Sequence, residues 1–305
     1  MNVEGLTVEK GVSAAELVKG FKGVGFQARE LAKAVEVVKE MKENQATVFL
    51  SFTSNMVSSG LRELFAQLCR EKFVDVIVTS IGSVEEDYMK CFAPFELGSF
   101  NADDVALHEE GTNRIGDVLV KNGHYELLEK NLKPFFDAEL AKQKEFGRLL
   151  APNELIRDLG LTMSDENSFV YWAARNRIPV ACPSPTDGAF GLQMFFYSQE
   201  HPEFGVDAAG DMKQLAPIVL SAEKTGGILL GGGAAKHFCI GANLLRGGLD
   251  YAVYVTTATP FDGSLSGARV NEAVSWGKVK EKAATACVQC DATIAFPLII
   301  AGVKG

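Results

Sequence analysis

Apolar residues recur along the chain in two alternating rhythms. From Phe26 to Lys42 they fall at helical spacing (Leu31, Ala34, Val35, Val38, Met41), and the run Ala46 to Phe52 is short, β-rich and bounded by polar residues. The stretch SNMVSSGLRELFAQLCRE returns to helical periodicity, and Val74 to Thr79 predicts a second strand with Ser80 to Ser83 as its exit loop. Cys91 to Arg114 has no clear period and predicts a long irregular segment of the kind that usually serves a function or covers something. Helices are expected over Tyr125 to Glu145, Pro152 to Asp158 and Asp165 to Arg175, the last with Ser164 as N-cap. RIPVAC, TGGILL and Tyr251 to Thr257 have the look of buried strands.

Strand alternating with helix predicts an α/β fold: one Rossmann-like domain spanning 1–305, with a mostly parallel sheet covered by helices on both faces and residues 1–22 as an N-terminal extension. Such sheets place ligands beyond the carboxyl ends of their strands, and Ser54, Ser80, Asp187, Gly232, Thr257 and Asp291 each follow an expected strand end. No GxGxxG fingerprint accompanies them. Gly231 to Gly233 would allow a pyrophosphate to approach the backbone closely, or would simply turn the chain.

A 47% hydrophobic composition over 305 residues is ample for a large core. A net charge of −9, with no dominant basic cluster, argues against a general nucleic-acid binder and favours cationic partners. No run of about twenty apolar residues is present, and MNVEGLTVEK lacks the apolar core of a signal peptide, so the expectation is a soluble, cytoplasmic protein without a membrane partner. Six scattered cysteines suggest no disulfide framework, and Cys287 with Cys290 is expected to be a small buried pair on a strand. His108 and His124 have no second ligand at metal-binding spacing and are expected at the surface; no metal site is predicted.

The stretch with most chemistry is TTATPFDGSLSGARVNEAVSWGK, Thr256 to Lys278, where a Gly- and Ser-rich loop ends in Glu272, Trp276 and Lys278. A lysine attacks carbonyl or imine carbon only when its amine is neutral, which calls for desolvation or a nearby cation, and Trp276 is expected to supply a dry wall. The indole face and the acidic neighbours would also hold an ammonium. One loop therefore offers an amine nucleophile together with a polyamine receptor.

FDGSLSGARVNEAVSWGK closely resembles the active-site segment of the deoxyhypusine synthase family. FTSNMVSSGLRE, VEEDYMKC, NRIG, PTDGAFG, GGGAAKH and CDATIAFPL resemble further family blocks in family order, across roughly Val24 to Ile300. The resemblance implies NAD contacts at Ser54, Asn55, Ser58, Ser80, Ile81, Gly82, Glu86, Asp187, Gly232, Thr257, Ala258, Asp291 and Ala292. It implies polyamine contacts at Glu85, Glu86, His237, Gly263, Ser264, Glu272 and Trp276. Lys278 matches the catalytic lysine, with His237 the natural proton-transfer group. For Glu85 and Glu86 the residues alone favour a solvated helix start, and the resemblance favours the spermidine site.

The implied reaction is transfer of the aminobutyl group of spermidine, by way of an imine on Lys278, to a lysine of the hypusine-bearing translation initiation factor precursor. The implied assembly is a homotetramer. Two positions depart from the better-known family pattern, which carries aspartates where this chain has Leu192 and Leu265. Losing two carboxylates removes charge-assisted bonds of roughly 1.5 to 3 kcal/mol each. A related aminobutyl transferase using putrescine or agmatine is therefore the alternative, and a silent NAD-binding regulatory paralogue is a further one. The compact length resembles archaeal or bacterial members.

Overall fold

Val48, Phe49, Leu50 and Phe52 have no exposed surface, and the polar boundaries on either side leave the run just long enough for one strand. In a computed structural model, which describes residues 2–305, the strands in chain order are β1 (Thr47–Phe52), β2 (Val76–Thr79), β3 (Glu96–Leu97), β4 (Thr112–Ile115), β5 (Val118–Lys121), β6 (Val180–Ala181), β7 (Thr225–Leu230), β8 (Leu249–Thr256) and β9 (Val279–Gln289). The chain forms two compact units, one of residues 1–52, 74–78 and 212–305, the other of residues 53–73 and 79–211.

The first unit contains β2, β1, β7, β8 and β9 side by side in that order. The pairings β1–β7, β7–β8 and β8–β9 are all parallel, as the strand–helix alternation predicts. The helix Phe26–Glu43 turns Leu31, Ala34, Val35, Val38 and Met41 inward, the 3.6-residue stripe read from the sequence. Residues 1–22 are not all extension: Ser13 caps a helix, Ala14–Gly20, whose Val18 is 1% exposed.

The second unit is largely helical and holds a small antiparallel sheet, β3–β5–β4. The stretch from Cys91 to Arg114 is therefore not irregular. It contains β3, the helix Asp104–Glu109 capped by Asp103, and β4; strands of two and four residues are too short to show a period. His124 is not at the surface but buried, with its ring nitrogens near Lys121 O and Pro94 O, whereas His108 is exposed as expected. The third predicted helix begins later than expected. Ser168, not Ser164, caps Phe169–Asn176, because Asp165 is drawn to the Arg62 guanidinium at 2.7 Å.

A buried carboxylate organises this unit. Asp87 accepts from Arg62 Nε, Ser168 Oγ and Val170 N, joining the helices Arg62–Arg70, Ile81–Lys90 and Phe169–Asn176. Satisfying each lone pair is what makes such a buried charge tolerable. Among the described residues no helix is long and apolar enough to cross a membrane, and no cluster of His, Cys, Asp and Glu is arranged to hold a metal.

Candidate active site

In the first unit, Lys278 sits where the short helix Val270–Ser275 hands over to β9. Gly277, at φ +68°, makes the left-handed turn that a side chain would resist. Lys278 N donates to Ala273 O at 2.9 Å and Leu249 N donates to Lys278 O at 3.0 Å, so this backbone is tied to a helix on one side and a strand on the other. The Lys278 Nζ lies 3.2 Å from His237 Nε2. His237 belongs to the helix Gly233–Ala242, which starts directly beyond the end of β7.

Both side chains line a cavity of about 250 Å³, with Lys236, Tyr254, Gly263, Leu265, Glu272 and Trp276 among the other walls. Trp276 is not the dry wall expected: it is 67% exposed, with its ring centroid 5.3 Å from Lys278 Nζ. The enclosed side is built by Tyr254, Ile240, Ala268 and Ala273. Tyr254 is 2% exposed, and its buried hydroxyl has no hydrogen-bond partner, which is unusual for an enclosed polar atom. It was missed in the sequence because strand alternation explains a buried tyrosine equally well.

The loop after β8 packs back onto the glycine turn after β7. A Cβ on Gly232 would stand 2.2 Å from Ser266 Oγ, and one on Gly267 would stand 1.7 Å from Thr259 O. Gly233 N donates to Ser266 Oγ at 3.3 Å and Thr256 Oγ1 donates to Ser266 O at 3.1 Å. Ser266 thus takes the space that Gly232 leaves open. At the loop tip Gly263 and Ser264 are exposed, with Ser264 N donating to Asp262 Oδ1. Ala258 N donates to Thr256 Oγ1, beside the exposed Thr257. Asp291 caps the helix Ala292–Lys304 through Thr293 N and Thr293 Oγ1. Cys287 lies on β9 and Cys290 just beyond it; both are half-buried free thiols and not fully enclosed as expected.

In the second unit, Ser80 to Ser83 is not an exit loop: Ser80 is extended and the helix Ile81–Lys90 begins at once. No side chain caps it, so its first amides face no side-chain acceptor. Ser54 lies against Gly82, where an added Cβ would meet it at 3.1 Å. Asn55 is exposed and accepts from Thr53 Oγ1. Asp187 is exposed on the turn before Gly188.

Glu85 and Glu86 lie in the middle of that helix, each 7% exposed, and are no solvated helix start. Glu85 accepts from Phe190 N at 2.6 Å; Gly188, at φ +90°, permits this because a Cβ there would lie 2.9 Å from the carboxylate. Burial raises the pKa of Glu85, against the pull of the Phe190 and Ala189 amides. Glu86 accepts from Ser58 Oγ, and burial pushes it up to about 8. Lys90, whose Nζ donates to Val57 O and Ser58 O, offsets this only slightly. A carboxyl in this condition gains from the arrival of a cation.

Residues 16–303 match the family model described as deoxyhypusine synthase. A probable deoxyhypusine synthase of Pyrococcus furiosus is 44% identical over 311 residues, covering 98% of this chain and 93% of its own. One of Halobacterium salinarum is 45% identical over 291 residues, with 94% and 87% covered. A solved structure from Entamoeba histolytica, described as a deoxyhypusine synthase, superposes with a TM-score of 0.71 at 27% identity, covering 99% of this chain and 96% of that one. With similarity running almost from end to end, the chain belongs to the deoxyhypusine synthase family, a family of transferases.

Proposed function

We propose that the chain transfers the aminobutyl group of spermidine to a lysine of the initiation factor precursor, using NAD. The observation that supports this most is the 3.2 Å approach of Lys278 Nζ to His237 Nε2 at a cavity that Glu272 and Tyr254 also line. A neutral imidazole at that distance accepts a proton from the lysine and leaves its lone pair free to attack. Lys278 then adds to the imine carbon derived from the donor's secondary amine, and 1,3-diaminopropane leaves with the proton that His237 returns. The acceptor lysine displaces Lys278 from the aminobutyl carbon by the same exchange. Glu272 attracts the donor's charged end, and the Trp276 face offers a cation–π contact.

The residues present fit NAD. Within the first unit the helix start at Gly233 has no side-chain cap, so its amides suit diphosphate oxygens, and the Asp291 carboxylate suits a ribose hydroxyl; within the second, the uncapped helix start at Ile81 and the Asp187 carboxylate offer the same two kinds of contact. When bound, NAD supplies the oxidation of the donor amine and returns the hydride to the final imine. A homotetramer is part of the same proposal.

One observation favours a second reading. Leu265 lines the Lys278 cavity where a family aspartate is expected, and it gives a terminal ammonium nothing in return for its desolvation. A relative that uses putrescine or agmatine as acceptor or donor is consistent with that wall. Incubation with NAD and labelled spermidine, together with the factor, putrescine or agmatine in turn, separates the two. Label on the factor's lysine supports the synthase and label in a small polyamine supports the relative. The absence, in every mixture, of diaminopropane and of any new amine formed from putrescine or agmatine would rule out both and leave the silent paralogue.

A further inference from the structure

Lys236 stands next to His237, yet its side chain turns away from solvent and is 1% exposed. Among the described residues no carboxylate stands at ion-pair distance, although Glu272 is near enough to favour the charged form. Its Nζ donates to Leu265 O at 2.8 Å and to Ala268 O at 3.1 Å, and it lies 4.2 Å from the centroid of the Tyr254 ring. Burying an ammonium against two carbonyls and a ring face is costly, and alkyl packing would fill the same volume without that cost. Burial does press on the group, lowering it to about 8. The two carbonyls belong to the segment that carries Gly263 and Ser264 at its tip and Leu265 at the cavity wall.

Other ties on this segment are weaker or lie elsewhere along it. Ser266 is held by Thr256 Oγ1 and Gly233 N, the latter at 3.3 Å. Lys236 reaches both sides of the Ser266–Gly267 step, and it does so from the helix that also carries His237. Loop and imidazole are therefore referenced to one helix.

From this geometry we infer that Lys236 is a positioning residue: by gripping Leu265 O and Ala268 O it holds the 259–268 loop against the cavity and thereby sets the donor subsite relative to His237 and Lys278. It exchanges no proton and forms no bond with the substrate; it acts through the loop. What the loop binds rests on the aminobutyl-transfer proposal above, whereas the grip itself does not.

The test uses the full-length chain carrying Lys236→Met and, separately, Lys236→Gln, which keeps N–H donors without charge. Amide hydrogen exchange is followed in the absence of substrate, and steady-state kinetics with spermidine are measured alongside. In Lys236→Met, exchange at residues 260–268 should quicken at least tenfold while β7 and β8 amides stay within threefold of the parent. KM for the donor should rise at least tenfold with kcat changed less than threefold, and Lys236→Gln should recover part of both effects. Unchanged exchange at 260–268 overturns the inference, as does a uniform rise across the first unit or failure of both variants to fold, since each assigns Lys236 to the core alone. If only the methionine variant fails to fold, the glutamine variant decides by the same measurements. Faster loop exchange in a chain whose parent shows no transfer leaves the grip standing and removes the aminobutyl reading instead.

Discussion

Lys278 and Glu86 make different demands on their surroundings. Lys278→Arg keeps a cation at the position but cannot form an imine, because a guanidinium stays protonated. Transfer should fall by roughly a thousandfold or more while thermal stability stays within a few degrees; product formation at the parental rate would remove Lys278 from the chemistry. Borohydride trapping should add an aminobutyl mass to the parent alone. Glu86 makes a prediction about stability. Its carboxyl ordinarily titrates near 4.5, and burial lifts it to about 8 in the folded chain. The folded state thus holds a proton that the unfolded state has released, so this contribution is complete below about pH 4.5 and is lost as pH rises through 8. The free energy of unfolding of the ligand-free protein should fall by a few kcal/mol at most as pH rises across that window, and Glu86→Gln should flatten the profile relative to the parent. A pH slope identical in both proteins would mean that Glu86 is ionised when folded. Residue identities at both positions were legible in the sequence, but their environments were not. Nothing in the letters distinguishes a tryptophan that shields a lysine from one left 67% exposed, because exposure is decided by segments distant in sequence.

Strands and helices of ordinary length were legible because their periods repeat enough times to be seen. Phe26–Glu43 completes five turns and β1 is a single apolar run between polar ends. The failures share a cause. β3 and β4 are too short for a rhythm, the helix at Ile81 starts with no side-chain cap to announce it, and the cap at Ser168 is one of several candidate serines and acids that propensity does not tell apart. The loop after β8 was legible as a Gly- and Ser-rich segment, but the reason for its glycines was not. Gly267 has no room for a methyl group, since a Cβ would sit 1.7 Å from the Thr259 carbonyl. Gly267→Ala should therefore displace the loop and cost about 3 kcal/mol in chemical denaturation, with donor affinity lost in parallel. Parental stability together with parental affinity would show that the loop can relax around the methyl.

At the scale of the whole chain, the unassembled surface is not one that a monomer hides well. On the helix Ala189–Glu200, Leu192, Phe195 and Phe196 are each at least half exposed, and apolar side chains grouped in this way usually meet a partner. Light scattering after size exclusion should give a mass near four times 32.9 kDa, and a stable 32.9 kDa species at micromolar concentration would count against the tetramer. Assembly also bears on how the acceptor arrives. The Lys278 main chain is pinned between the Ala273 carbonyl and the Leu249 amide, so under the aminobutyl-transfer proposal the cargo would ride on a short tether with a fixed root. Four methylenes swing through only a few ångströms, less than the thickness of a single helix. The tether cannot go out to find its recipient. A bulky protein with its lysine on a flat face could not be served, whereas one that offers the lysine at the end of a slender, protruding finger could. Under that proposal the fixed root of Lys278 would select its clients by shape before any chemistry begins.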